Sequence, residues 1–422
     1  MELKPRCHEK IIQLINKGVD VPNPLTLDIG EEVVVDQISG NGVKIYPGCR
    51  IYGDKTVISG GAQIGNEGPV TIDDCQIGPE VELKGGYFNK AVFLEKANMG
   101  LGAHVREGCI FEEEANGAHC VGLKQTILLP FVTLGSLINL CDCLMAGGTS
   151  RKDHSEVGSS YIHFNFTPDG NKITPSLIGD VPRGVMLNQP AIFLGGQGGI
   201  VGPVRLGYGN VVAAGSILRR DMPKDNKIIT GITYPGHVSD FVPHDYSGLS
   251  RIMGNNILYM ANLTALEQWY IHVRQPFLNA QESGDLIYEG VLDKLALAKK
   301  ERIKRLKALA EKIPVEHKTH QGRTSTSAKK RELHDNIDRV CELFGVNTLE
   351  ISGNQKRDHF LTAFHNHNKD NNADYIKVIQ SMSSAVSQPG VQWLTQIVEG
   401  LCNQAESILP SLNMFKKLSI KK

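Results

Sequence analysis

No stretch of about 18 consecutive apolar residues occurs in the 422-residue chain, so nothing in it reads as a membrane-spanning helix. Surplus charge of either sign is also missing, since 45 lysines and arginines balance 45 aspartates and glutamates. Without a global field, neither nucleic acid nor an anionic membrane is an expected partner, and a charged ligand must be met locally. The nine cysteines include no CxxC pair and no histidine partners at zinc-finger spacing. They are expected to be reduced and mostly buried, and no metal site is predicted. Cys141 and Cys143 form the close pair; alternation along a strand puts both on one face. The opening "MELKPRCHEKIIQLINKGVD" lacks the continuous apolar core of a secretory signal. The expectation is a soluble cytoplasmic protein.

What the sequence does contain is a period of six. Leu194, Ile200, Leu206, Val212 and Leu218 recur at that interval, with Gly195, Gly207 and Ala213 beside three of them. Ile45, Ile51 and Val57 share it, then Ile58, Ile64 and Val70 after a one-residue slip, and Leu128, Leu134 and Leu140 again. Glycine, asparagine and aspartate cluster between these positions, as turns with positive φ require. An inward aliphatic once per hexad describes a parallel β-helix whose stacked coils form a continuous apolar column. A sandwich would show period-two alternation, and a Rossmann sheet would show helices between strands.

The fold class expected is mainly β, a hexapeptide-repeat solenoid with a C-terminal α-helical region. The boundaries are an N-terminal helical segment over 1–24, the β-helix over 25–243, a helical extension over 244–315, a flexible linker over 316–330 and a helical region over 331–422. In the extension, Ile303, Leu306, Leu309 or Ala310, and Ile313 recur at three or four residues with lysines and glutamates between them, an amphipathic helix.

One segment departs from the glycine-aliphatic pattern: "RKDHSEVGSSYIHFNFTPDG", 151–170. His154 and His163 are candidate general bases, because imidazole titrates near neutrality. An exposed turn residue and a partly buried histidine would explain them too. Arg151 and Lys152, with His154, offer a phosphate site, a guanidinium fork plus a point charge. Arg205, Arg219 and Arg220 form a second basic cluster. "NFT" at 165–167 and "NLT" at 262–264 fit the glycosylation pattern but not a cytoplasmic protein.

"GPVRLGYGNVVAAGSILRRD", 202–221, and "SEVGSSYIHFNFTPDGNKITPSLIGD", 155–180, resemble the acetyltransferase domain of the bifunctional enzyme that makes UDP-N-acetylglucosamine, a left-handed parallel β-helix. The resemblance implies a homotrimer with active sites between neighbouring solenoids, where acyl-CoA as co-substrate meets an amino-sugar phosphate or UDP-sugar. It matches Asn165 to a sugar-contacting asparagine, Lys172 to a substrate-side lysine, and Ala213 and Ala214 to small residues along the thioester arm of CoA. It places Arg219 and Arg220 near the CoA end.

Phe166 stands where that family has a tyrosine, and Cys141 stands where it has its catalytic histidine. A non-catalytic sugar-nucleotide-binding or scaffold protein of the same fold is the alternative. A third option, a nucleotidyltransferase resembling UDP-N-acetylglucosamine pyrophosphorylase, would need a uridyltransferase domain. The nearest string to its glycine-rich loop, "LMAGGTSRKDHS" at 144–155, falls inside the repeats, outside the strand-loop-helix setting a phosphate cradle requires.

Overall fold

In the computed structural model, the described residues are 4–231, 248–313, 325–345, 354–369 and 374–415, with isolated residues between 232 and 247. The hexads become the three flat faces of a parallel β-solenoid, consistent with the left-handed class. Leu194 lies on the first face, Ile200 on the second, Leu206 on the third, and Val212 returns to the first. Each coil contributes one strand to a 10-stranded parallel sheet running from Lys44–Ile45 to Ile228–Ile229 on the first face. The second and third faces merge into a 16-stranded sheet, because strands Gly122–Leu128 and Asn139–Met145 run through the corner between them.

The inward positions stack in register, which is why a short hexad suffices as a strand. On the first face Ile45, Ile64, Leu83 and Met99 lie one above the other. Gly117 comes next; a Cβ there would sit 2.6 Å from the Met99 sulfur, so the long thioether fills the missing volume. The third face stacks Ile58, Ile77, Phe93, Phe111, Leu128, Met145, Ile178 and Leu206. Ile58, not Val57, carries that column, which accounts for the one-residue slip. Each such side chain contributes about 1.5–3 kcal/mol by leaving water, only once a neighbouring coil covers it.

The second face stacks Ile29, Ile51, Ile72, Phe88, Val105, Leu123 and Leu140, and resumes at Ile200 and Leu218. Between Leu140 and Ile200 the inward position is His163, which pairs with Ile200 in the parallel ladder and is 3% exposed. Nε2 lies 2.8 Å from Ser176 Oγ, and Nδ1 has no partner of normal hydrogen-bond geometry. Burial pushes its pKa down to about 4, against the Cys141 backbone, which favours the charged form. His163 is thus a neutral core residue.

The helices are α1 His8–Lys17, α2 Val181–Gly184, α3 Leu249–Trp269, α4 Gln275–Asn279, α5 Gly284–Lys312, α6 Ser325–Glu342, α7 Asn354–His367, α8 Tyr375–Gln380 and α9 Ser384–Ile408. Helix α1 lies at the N-terminal end of the solenoid, with Ile11 and Leu14 buried and the Lys10 ammonium on the Val33 carbonyl. Helices α3 and α5 cover the third face, α9 packs on α3, and Phe360 of α7 stacks between Trp269 of α3 and Trp393 of α9. Residues 314–324, over most of the expected linker, lie outside the described residues, and helix begins at Ser325. No helix among the described residues is long and apolar enough to cross a membrane.

Of the stripe expected of α5, Leu306, Leu309, Ala310 and Ile313, the last just past the helix end, are buried, and Ile303 is half-buried against the core. Lys294, Lys299 and Arg302 are buried as well. The reason is a set of acceptors opposite them. The Lys294 ammonium reaches Gln76 Oε1 at 3.0 Å, Lys299 reaches Glu267 at 2.7 Å, and Arg302 reaches Asp142 Oδ1 at 2.7 Å. The turn after α3 adds Tyr270, which donates to Glu112 at 2.6 Å, and Arg274 on Glu113 at 2.5 Å. A buried charge costs several kcal/mol unless paired, so these contacts fix where the helices sit on the solenoid.

The core position of His163 makes a pH prediction. Its folded value of about 4 lies below the ordinary 6.5, so the unfolded chain binds the extra proton as pH falls. Because buried Glu112, raised to about 7, shifts stability the opposite way over the same range, the contribution of His163 is read as a difference. Chemical denaturation at pH 7 and pH 5 is expected to show a change about 2 kcal/mol more destabilising at the lower pH in the native protein than in His163→Leu, which lacks this imidazole.

Candidate functional site

At the corner between the second and third faces, the chain turns through left-handed residues in successive coils. Asp74, Lys90, Gln125 and Asp142 have φ of 51°, 48°, 50° and 58°. The residue before each corner follows the inward aliphatic directly, so its side chain points outward. Arg106 follows Val105, Lys124 follows Leu123, and Cys141 follows Leu140; Lys124 and Cys141 are paired across the ladder. In the next coil the segment after Phe164 leaves the solenoid as a loop and rejoins it at Ser176. The loop carries Asn165, Phe166 and Lys172.

These elements enclose a cavity of about 270 Å³ at the corner. Arg106, Lys124, Cys141 and Asp142 line one side, and Phe164, Asn165, Phe166 and Lys172 line another. Glu301 and Arg305 of α5 line it too. Asp142 is held by the buried Arg302 guanidinium at 2.7 Å and accepts from Asn165 Nδ2 at 3.4 Å. Arg302 also donates to the Lys172 carbonyl at 2.9 Å, tying the loop, the corner and the helix together. Burial raises the Asp142 carboxyl, opposed by Arg302. The Cys141 thiol is raised by burial and then by Asp142; Arg106 Nη2 lies 3.9 Å from the sulfur. At neutral pH the thiol is therefore protonated and does not act as a base.

Of the residues picked from the sequence, Asn165, Lys172 and His163 border this cavity. The ring of His163 belongs to the column of inward residues and is held by Ser176. His154 does not border it. It lies on an antiparallel hairpin, Gly148–Ser150 with Asp153–His154, where Nδ1 meets the Arg151 carbonyl at 2.9 Å and Nε2 lies 3.6 Å from Glu156. Asp153 accepts from Thr149 at 2.8 Å.

Arg151 fastens that hairpin to the solenoid: Nη1 donates to the Glu114 and Phe131 carbonyls and to Thr133 Oγ1 at 2.9–3.0 Å. Arg151 and Lys152 border a different cavity of about 440 Å³, beside Phe277 and Tyr375. The string "LMAGGTSRKDHS" is thus a strand end and a hairpin with no helix after it.

Ala213 and Ala214 pack on Gly195, whose added Cβ would lie 2.3 Å from the Ala214 nitrogen; they occupy the corner after the first face. Arg219 and Arg220 follow Leu218 at the same kind of corner as Cys141 but three coils further along, about 14 Å at the usual strand spacing. The resemblance gave no reason to pick Arg106 and Lys124. Their one signal is position, directly after inward residues in coils stacked below Cys141, which becomes visible only when whole coils are indexed. Glu301 and Arg305 lie 160 residues beyond the corner they face, so no local spacing marks them.

No family model matches the chain. Among curated proteins, the bifunctional protein GlmU of Thermotoga maritima is 28% identical over 218 residues, covering 51% of this chain and 42% of that protein. GlmU of Fervidobacterium nodosum is 28% identical over 229 residues, covering 53% and 44%. GlmU of Pelobacter propionicus is 29% identical over 219 residues, covering 51% and 42%. The matched region thus spans less than half the length of these relatives. Among solved structures, LpxA from Acinetobacter baumannii aligns over 65% of this chain and 95% of that one, at 11% identity and a TM-score of 0.20. A UDP-N-acetylglucosamine acyltransferase from Campylobacter jejuni aligns over 49% and 67%, at 14% identity and a TM-score of 0.18. Over about half its length the chain is similar to the bifunctional GlmU proteins.

Proposed function

We propose that the protein is a hexapeptide-repeat transferase that binds an amino-sugar phosphate or a UDP-sugar in the corner cavity and uses acyl-CoA as donor. One observation carries the reading: Asn165 and Lys172, which the resemblance matches to substrate-side residues, border the same cavity as Cys141, which stands at the family's catalytic-histidine position. Arg106, Lys124 and Arg305 add cationic groups around it, and a phosphate is the anion such donors favour. In the reaction the acceptor amine or hydroxyl attacks the thioester carbonyl carbon. A C–N or C–O bond forms, the C–S bond breaks, and the acceptor's proton ends on the thiol of CoA. Asn165 and Lys172 orient the sugar and its phosphate, while Ala213, Ala214, Arg219 and Arg220 are the proposed contacts for CoA.

The protonated Cys141 and the interior His163 favour a second reading, a sugar-nucleotide-binding or scaffold protein of the same fold without turnover. The two separate in one experiment. Isothermal titration with UDP-N-acetylglucosamine and with acetyl-CoA, followed by a thiol-release assay with amino-sugar phosphate as acceptor, is expected to give binding of both and CoA release. Asn165→Ala and Lys172→Ala should each weaken sugar-nucleotide binding about tenfold, the size of one lost charged or polar contact. Binding of the sugar nucleotide without thiol release selects the second reading, and binding of neither ligand removes both.

The proposed assembly is a homotrimer. Its support is an exposed apolar stripe on the first face, Phe193, Val211 and Ile228 stacked coil on coil, with Ile162 and Ile217 exposed on the second. Such contiguous apolar surface is rarely left to solvent. Sedimentation velocity should give three chain masses for the native protein and one for Val211→Asp; a native monomer would remove the assembly from the proposal.

A further inference from the structure

Helix α5 is held against the corner by contacts on both sides of the cavity. Arg302 reaches Asp142 and the Lys172 carbonyl, and the Lys312 ammonium reaches the Asp169 carbonyl at 3.3 Å. Glu301 and Arg305 are one helical turn apart, and both face the cavity. They are also paired: Arg305 Nε lies 2.7 Å from Glu301 Oε1 and Nη2 lies 2.6 Å from it.

The other charges at the cavity are engaged differently. Lys124 pairs with Glu107, which does not border the cavity, and Asp142 is committed to Arg302 and Asn165. Among the described residues, Glu301 and Arg305 are therefore the ion pair whose two members both border the cavity. A phosphate entering there meets a guanidinium whose fork suits it and a carboxylate that repels it. The pair is only partly exposed, 28% and 20% for the two side chains, so solvent screens that repulsion incompletely.

We infer that the Glu301–Arg305 pair is a charge gate on the cavity, in which the ligand's phosphate takes the Arg305 guanidinium and Glu301 turns away. Helix α5 thereby supplies, from the same chain, a specificity-determining wall of the site. The gate admits ligands with enough negative charge to replace a carboxylate on Arg305. A neutral sugar gains nothing from the exchange and is held only by the polar groups opposite. The inference rests on the anion-binding reading of the cavity given above.

The test is isothermal titration of the full chain with UDP-N-acetylglucosamine, and with inorganic pyrophosphate as a probe without a sugar. Glu301→Gln frees Arg305 and removes the repulsion, and is expected to tighten both ligands about fivefold. Arg305→Gln should weaken both about tenfold, and the double variant should bind more tightly than Arg305→Gln but more weakly than the native protein, since the repulsion is gone and the guanidinium is missing. Thermal melts report whether each variant is folded, and a single i,i+4 pair on a helix contributes little to stability. Weaker binding in Glu301→Gln would overturn the inference, because Glu301 would then hold Arg305 in place for the ligand. Binding that responds to Lys172→Ala but to neither helix variant would overturn it while leaving the cavity reading intact. Absence of binding by either probe in the native protein would overturn both.

Discussion

Every coil of this protein must place an inward side chain over the one below it, and the rest of the architecture follows from that requirement. It fixes the coil register, since a one-residue slip would turn the aliphatics outward. It permits strands of two or three residues, because each is held by the coils on either side and not by its own length. It also fixes which residues face out. A side chain directly after an inward one sits at a corner, and the same position recurs at each coil. Arg106, Lys124 and Cys141 come together for that reason alone, from three turns of the chain.

The helical layer obeys a different constraint. The third face is covered within the chain, and the covering helices carry buried cations that find acceptors on the solenoid: Lys294 on Gln76, Arg274 on Glu113, Arg302 on Asp142. Pairs of this kind add little net stability beside apolar packing, but a mismatched placement would leave a buried charge unpaired. They specify position more than they strengthen it. Arg302 makes the pair at the cavity: the carboxylate it holds also accepts from Asn165 and the carbonyl it holds belongs to Lys172. The corner, the loop and the helix that bound the cavity share one guanidinium.

The solenoid was legible because its physics repeats. Leu194, Ile200, Leu206, Val212 and Leu218 announce three faces, and the slip at Val57 and Ile58 is a real change of which residue points in. His163 was misleading for the same reason that it is unusual: it occupies an aliphatic's place in the column, and only indexing by whole coils, with Leu140 below and Ile200 above, identifies that place. The buried lysines and arginine of α5 could not be told from solvated ones, since the acceptors of Lys294 and Arg302 lie more than a hundred residues away and that of Lys299 lies on another helix. Asn165 and Lys172 were legible through resemblance, and the cavity joins them to the Cys141 position. What local sequence could not supply was the other side of the cavity, which comes from a helix beyond the repeats.

An anionic sugar ligand is proposed to bind at the corner bounded by Arg106, Lys124, Asn165, Lys172 and Arg305. A crystal structure of the protein with UDP-N-acetylglucosamine tests this most directly. Phosphate oxygens are expected within hydrogen-bond distance of Lys172 and Arg305, with the sugar against Asn165. Ligand density between the Arg151–Lys152 hairpin and Tyr375, or at Arg219 and Arg220 with the corner cavity empty, would contradict it.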